Sequence, residues 1–198
     1  LLGWCDHAQM AMEIYRWAIE RTKPDPERDR GYQDRDSIPT REWLEDAQIN
    51  LVPEYDRALL RFALYNAVEL AESSRIKSID EMLAAVDAPD RGARIEKWLD
   101  DAFAATQIGN LERRMEMFHM SVEELEALGD PFIDYARLLY PMQDARREAH
   151  KEQAGASNRL EPKLINAIAD WRQGNLYPDA NSTMRVNFGI VDGYRIDD

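Results

Sequence analysis

A change of residue periodicity near position 177 limits the folds that this chain of 198 residues can adopt. Before that point, apolar side chains recur every three or four residues, which is the spacing of amphipathic α-helices. After it, Pro178 and Asn181 mark a turn, and apolar residues then alternate with polar residues or glycine, which predicts a β-strand with one buried face. The apolar positions of this alternation are Met184, Val186, Phe188 and Ile190. The pair Asp192-Gly193 predicts a hairpin turn and a second short strand.

A sheet that starts this close to residue 198 finds few strands to pair with in this sequence. We therefore expect the chain to be a piece of a larger protein whose other residues supply the sheet. The predicted fold class is mainly α, with a helical bundle over residues 1–174 and a short β segment over residues 175–198.

Apolar spacing predicts a series of helices before that segment. The first runs from about Asp6 to Arg21 and ends at two prolines. The helix at 54–73 is apolar nearly all round, so we expect it to be the most buried. Further helices are predicted at about 40–50, 78–86, 95–109, 110–118, 122–129 and 132–151, and a last one ends near Gly174.

Capping residues predict where several of these helices begin. N-caps are predicted at Thr40, Asn110 and Asp130, and capping boxes at Ser78 and Ser121. Pro141 lies inside the helix predicted at 132–151, so a kink or a break is expected there. Residues 155–158 are expected to turn the chain back on itself.

Composition narrows the possible partners. The formal net charge of −13 argues against nucleic acids and anionic membranes, which require a basic surface. No apolar run approaches the roughly 20 residues of a membrane span, and the first ten residues lack the charged leader of a signal peptide. The single cysteine, Cys5, cannot form an internal disulfide and is interpreted as a small buried hydrophobic residue.

Residue chemistry predicts neither a catalytic residue, nor a cofactor, nor a metal ion. Glu116 and His119 match half of a carboxylate-bridged metal site, but the sequence has no second Glu-x-x-His pair to complete it. His7 and His150 have no sequence neighbours that suggest a triad. Neither a Gly-x-Ser-x-Gly motif nor a glycine-rich phosphate loop is present in the sequence.

The stretch from Glu27 to Pro39 is dense in charges of both signs and contains Gly31. It is interpreted as a loop or an extended connector. Its arginines and aspartates could form an ion-pair network, but most of them are expected to be solvated, where a pair contributes about 0–1 kcal/mol.

The terminal segment carries residues that recur together in one family: Tyr177, Pro178, Asp179, Ala180, Asn181, Thr183, Arg185, Phe188 and Gly189. This run resembles the segment that, in the bacterial dipeptidyl peptidase 7 and 11 family, returns the chain from a helical domain to a chymotrypsin-like double β-barrel. The first predicted helix and the connector are also similar to that family, notably at Gly31-Tyr32-Gln33 and Arg35-Asp36.

The resemblance implies that the chain is the later part of a helical cap domain, followed by the first strands of the barrel. Family members are serine exopeptidases that release dipeptides from a free amino terminus, using a His, Asp and Ser triad on the barrels. No triad residue carries over to this chain, so the chain alone is expected to be inactive. The resemblance further implies peptide substrates, a homodimeric parent and a periplasmic or cell-surface location.

Two alternatives stay open at the level of the sequence. A free-standing acidic helical interaction module fits the charge of −13 and the missing catalytic chemistry. A di-metal helical oxidase rests on Glu116 and His119 alone.

Overall fold

The structure, a computed structural model, describes residues 5–173, and all regular secondary structure in that range is helical. The chain divides into two compact units, Leu1–Arg147 and Glu148–Asp198. The α-helices are α1 (Asp6–Arg21), α2 (Ser37–Asn50), α3 (Pro53–Glu69), α4 (Lys77–Ala84), α5 (Arg91–Ala105), α6 (Leu111–His119), α7 (Val122–Ala127) and α8 (Pro131–Arg172). Short 3₁₀ turns lie at Asp25–Glu27, Asp34–Asp36 and Glu72–Ser74.

Helix α1 is the most buried helix in the described part of the chain. Nine of its 16 residues are buried, and it packs against α6 and α7. Its observed bounds match the predicted ones.

Helix α3 is not the most buried helix, and that prediction is wrong. Its buried apolar residues, Leu60, Leu64, Ala67 and Val68, form one stripe that faces α4 and α5. Phe62, on another side, is 63% exposed. An apolar pattern all round a helix does not reveal how many neighbouring helices the fold supplies to cover it.

Aromatic rings fill the region between α1, α5 and the start of α8. The centroids of Phe103 and Phe132 lie 5.1 Å apart, and those of Trp98 and Tyr135 lie 5.4 Å apart. Phe132 and Tyr135 are almost fully buried. Burying a side chain as large as Phe contributes about 1.5–3 kcal/mol, so these rings hold the first turns of α8 against the core.

Three predicted helix caps are confirmed. The side-chain oxygen of Asn110 accepts a hydrogen bond from the Arg113 N–H at 3.0 Å. Ser121 forms the predicted capping box of α7, and Asp130 Oδ1 accepts from the Phe132 N–H at 2.9 Å.

Two other predicted caps are wrong. The 3₁₀ turn Asp34–Asp36 leads directly into α2, so Thr40 already lies inside that helix and its hydroxyl donates to the Asp36 carbonyl at 2.9 Å. Helix α4 begins at Lys77, so Ser78 is helical and Ile76 is the N-cap residue, which caps without a side-chain hydrogen bond.

Helix α8 continues through Pro141 and through residues 155–158, so there is no break at Pro141 and the predicted turn is wrong, while a kink at Pro141 stays a prediction. Proline removes one backbone hydrogen bond and costs roughly 3 kcal/mol inside a helix, and Gly155 costs about 1 kcal/mol. Two short-range ion pairs support the helix between these positions: Arg147–Asp144 at 2.7 Å and Lys151–Glu148 at 2.7 Å.

The predicted strand at 184–190 and the predicted domain boundary at 174/175 lie outside residues 5–173, so both stay predictions. Among the described helices, none combines the length and the apolar character that a membrane crossing needs.

Candidate functional site

The connector after α1 folds back onto that helix through Tyr32. Gly31 adopts a φ of +94°, a conformation that other residues rarely take, and this lets the chain turn. The Tyr32 ring is buried, 5.7 Å from the Trp17 ring, and its hydroxyl donates to Glu13 Oε2 at 2.8 Å. The Arg16 guanidinium lies 4.1 Å from the centre of the Tyr32 ring, which is within cation–π range.

Burial shifts the titration of both hydrogen-bonded groups. Burial raises the pKa of the Tyr32 hydroxyl, and the charge of Glu13 adds to that effect. Burial also raises the pKa of the Glu13 carboxyl, against the hydrogen bond from Tyr32 and the positive charges of Arg16 and Arg147. Glu13 is therefore a partly desolvated carboxylate at the edge of the core.

Four of the seven charged residues of the connector are exposed, so the expectation that most of its charges are solvated is confirmed, while the others take part in an ion-pair network. Arg28 pairs with Asp34 at 2.6 Å and with Asp25 at 3.5 Å, and its side chain is only 12% exposed. Arg16 pairs with Asp29 at 2.8 Å. The 3₁₀ turns of the connector bring these side chains together near the end of α1, and the paired charges form one network there.

An open pocket of about 250 Å³ lies beside Glu13. Its other lining residues come from α2: Pro39, Thr40 and Trp43. Trp43 is 43% exposed, so an aromatic face and a carboxylate meet at the same solvent-accessible place.

A larger groove of about 660 Å³ lies between α4, α5 and the start of α8. Met82, Trp98 and Leu138 line it. Asp134 and Arg137 also line the groove, and they pair with each other at 3.0 Å. The described side chains that line the groove are mostly apolar, and the opposite charges of Asp134 and Arg137 neutralise each other.

Asp56 of α3 accepts three hydrogen bonds from the first turn of α1. The backbone N–H groups of Asp6 and His7 donate to it at 2.9 Å each, and His7 Nδ1 lies 2.5 Å from Asp56 Oδ2. The N-cap residue Cys5 makes no side-chain capping bond. Asp56 therefore acts as the N-cap of α1, from a different helix.

The His7–Asp56 pair is buried, and each side chain is only 3% exposed. Burial alone would raise the pKa of Asp56, but hydrogen bonds from the His7 ring and from the two backbone N–H groups outweigh burial and hold that pKa below its usual range. An ionised carboxylate only accepts hydrogen bonds, so His7 Nδ1 carries a proton.

A His–Asp pair is also two thirds of a hydrolytic triad, but within residues 5–173 the contacts of the His7 ring do not include a third member. Its ring lies between Phe103 and Phe132, with centroids 5.1 and 5.5 Å away. Nε2 faces Gly109, where an added Cβ would stand only 3.0 Å away. The pair therefore positions α1 rather than activating a nucleophile.

Cys5, next to this pair, is buried as predicted. Burial raises the pKa of its thiol, and the nearby charge of Asp56 raises it further. The thiol is therefore held in its unreactive protonated form.

The residues that the sequence analysis considered for metal binding are not brought together with further ligands. Glu116 pairs with Arg113 instead, and the His119 ring contacts Phe118 with centroids 5.3 Å apart. Over residues 5–173, the structure contains no group of three or more His, Cys, Asp or Glu side chains placed to hold a metal ion.

The family motif of the terminal segment lies outside the described residues. Its members are Tyr177, Pro178, Asp179, Ala180, Asn181, Thr183, Arg185, Phe188 and Gly189. Their role in returning the chain to a barrel stays a prediction.

Sequence reasoning missed other buried charges besides the His7–Asp56 pair, and Arg114 is the largest of these side chains. Arg114 is fully buried, and it donates to the Ile108 carbonyl at 2.8 Å and to Gln48 Oε1 at 3.0 Å. Burial lowers the pKa of its guanidinium. It joins α6 to α2, and the polar stretch around it in the sequence gives no sign that it is buried.

Comparison with known proteins decides which family these helices come from. The model of the Peptidase S46 family matches residues 2–198. The chain belongs to the peptidase S46 family. A curated relative from Shewanella putrefaciens (strain CN-32 / ATCC BAA-453), named Asp/Glu-specific dipeptidyl-peptidase, is 30% identical over 188 residues. The alignment covers 93% of this S46 chain and 25% of the relative, so the chain spans about a quarter of the relative's length.

Proposed function

We propose that this chain is part of a serine-type dipeptidyl peptidase, in which it forms the later part of a helical domain that caps the substrate cleft. The observation that carries the proposal is the S46 family match, which runs over residues 2–198. The helical architecture of residues 5–173 supports it, because a cap of this kind consists of helices. The family match also favours a peptidase over a free-standing interaction module.

The reaction proposed for the whole enzyme is acyl transfer. A serine hydroxyl attacks the carbonyl carbon of the second residue of a peptide, and a histidine takes the hydroxyl proton. The same histidine gives that proton to the leaving amine, and water then releases the dipeptide from the acyl-enzyme. The residues for these steps are proposed to lie outside this chain.

This chain would contribute by excluding the middle of a long peptide from the cleft and by positioning the peptide terminus. The helices before residue 148 pack together, and α1 is held at its start by Asp56 and near its end by the contacts of Asp29 with Arg16 and Glu20. A firm body of this kind is suited to blocking one end of a cleft, so that only a peptide terminus enters. A periplasmic or cell-surface location and a homodimeric parent belong to the same proposal.

The activity is tested with two samples, the chain of residues 1–198 and the full-length protein. Chromogenic dipeptidyl substrates, including some with Asp or Glu at the second position, should be hydrolysed by the full-length protein only. A serine-directed inhibitor should abolish that hydrolysis. Inhibitor-sensitive turnover by the isolated chain, or full-length activity that the inhibitor leaves untouched, would contradict the proposal.

The capping role is tested separately in the full-length protein. Asp56→Asn weakens the anchoring of α1 without touching a proposed catalytic group. We expect the preference for a free amino terminus over an N-acetylated one to fall, after rates are corrected for the titrated fraction of active enzyme. An unchanged preference, in a variant whose helices show faster amide exchange, would contradict the capping role.

A further inference from the structure

Within residues 5–173, one oxygen of the Glu13 carboxylate accepts no hydrogen bond. Tyr32 donates to Oε2 at 2.8 Å. Across residues 5–173, no hydrogen bond to Oε1 is present. Among the described residues, Glu13 is one of four that line the open pocket of about 250 Å³.

The arginines nearest to Glu13 are bound to other acids. Arg16 pairs with Asp29 at 2.8 Å and lies over the Tyr32 ring. Arg147 pairs with Asp144 at 2.7 Å. Glu13 therefore adds a negative charge that these pairs do not neutralise, in a chain whose net charge is −13.

The rest of the pocket complements a cation that carries an aliphatic stem. Trp43 offers an exposed indole face. Among the aromatic side chains, the indole ring of Trp attracts cations most strongly. Pro39 adds an apolar wall, and the Thr40 hydroxyl is already used in donating to the Asp36 carbonyl. At about 30 Å³ for each water, the pocket has room for roughly eight waters, which is enough for an ammonium group on a short chain.

We propose that this pocket binds an alkylammonium group, with the Glu13 carboxylate as counter-ion and the Trp43 ring against the methylene stem. A peptide offers this chemistry in two places, a lysine side chain and a free amino terminus. The proposal concerns binding to this chain alone, so it stands or falls independently of the peptidase activity.

The test uses three small probes that share one stem. Nα-acetyl-lysine amide carries only the side-chain ammonium, norleucine amide carries only the α-ammonium, and Nα-acetyl-norleucine amide carries neither. The readout is the indole N–H resonance of Trp43 in a ¹⁵N correlation spectrum of the chain, assigned from its loss in Trp43→Phe. We expect saturable shifts with a charged probe, a dissociation constant on the order of 1 mM and no saturation with the neutral probe.

The variant that decides the proposal is Glu13→Gln, because the amide keeps the shape and can still accept from Tyr32 while the charge is lost. We expect binding to weaken at least about tenfold. The matched control is Glu45→Gln on the exposed side of α2, where Glu45 pairs with Arg41, and it should bind like the wild type.

The outcomes separate clearly. Saturation with one charged probe or with both supports the site and identifies which amine it takes. Equal binding by wild type and Glu13→Gln overturns the proposal, as does a Trp43 shift that all three probes produce alike. An unchanged spectrum outside α1 and α2 in Glu13→Gln shows that the variant is folded, so a loss of binding is then due to the charge.

Discussion

The two ends of helix α1 are both held by polar side chains, but their surroundings are opposite. At the start of the helix, His7 and Asp56 lie among aromatic rings and each is 3% exposed. Just beyond the end, in the connector, Arg28 pairs with Asp34, which is 79% exposed. In both places a nitrogen donor contacts a carboxylate. The His7–Asp56 contact lies in the core, and the Arg28–Asp34 contact lies at the protein surface.

Burial, rather than bond length, determines how much each contact contributes to the free energy of unfolding. The hydrogen bonds are short at both ends, 2.5 Å for His7–Asp56 and 2.6 Å for Arg28–Asp34. Removing one partner of a buried pair leaves an uncompensated polar group and costs about 3–5 kcal/mol. Removing one partner of an exposed pair returns the other to water and costs about 0–1 kcal/mol.

The largest effect should come from Asp56→Ala. The substitution leaves the His7 ring and two backbone N–H groups without their acceptor, so we expect the free energy of unfolding to fall by about 3–5 kcal/mol. Urea denaturation followed by circular dichroism measures it. The control Asp46→Ala, at an exposed position of α2, should stay within about 0.5 kcal/mol of the wild type. A loss below 1 kcal/mol in Asp56→Ala would remove the contrast between the two ends.

Gly109→Ala should act on the same end of α1 through packing. Its new Cβ would stand 3.0 Å from His7 Nε2, and overpacking of this kind costs about 1–3 kcal/mol. Urea denaturation again gives the change. Gly155→Ala is the counterpart with nothing within 4 Å of the new Cβ, and it should slow amide exchange near position 155 because alanine favours the helix by roughly 1 kcal/mol. Destabilisation of the same size at both glycines would show that His7 is not tightly enclosed.

Acid should weaken the start of α1. The pKa of Asp56 is held below its usual range in the folded state, so its contribution is fully present above the unfolded pKa of about 3.9 and is lost as the pH falls through the lower folded pKa. Asp56→Asn should be less stable than the wild type by about 1–3 kcal/mol at pH 7, and the gap should close below about pH 4. The check is urea denaturation of both proteins from pH 7 to pH 3. A gap that stays constant across this range would mean that the charge of Asp56 is irrelevant.

The smallest effect should come from Arg28→Gln at the other end. We expect a loss of at most about 1 kcal/mol in low salt, and the loss should shrink in 1 M NaCl, where the Debye length is about 3 Å. The effect of Asp56→Ala should be the same at both salt concentrations because water and ions do not reach that pair. Thermal unfolding at 0.01 M and 1 M NaCl compares them. Equal salt dependence at the two ends would contradict the role given to burial.

Features that depend on sequence neighbours were predictable. The bounds of α1 and the caps at Asn110, Ser121 and Asp130 follow from residues within four positions of one another. The terminal motif and the connector also pointed to the family that the comparison confirmed.

Features that depend on the assembled fold were not predictable. His7 and Asp56 are 49 positions apart, and Tyr32 and Glu13 are 19 positions apart. An aspartate in the first turn of α3 is ordinarily explained by the dipole of its own helix, so nothing in the sequence assigns Asp56 to α1. The continuous α8 was missed because local propensity at Pro141 and Gly155 opposes a helix that the structure nevertheless maintains.

The position of Cys5 gives the chain a built-in reporter for the start of α1. It is the only cysteine of the chain, it is 1% exposed, and its thiol lies in the protonated form that alkylating agents do not attack. Iodoacetamide therefore labels it only in molecules whose first helical turn has opened. The labelling rate measures how often that turn opens under native conditions, without denaturant.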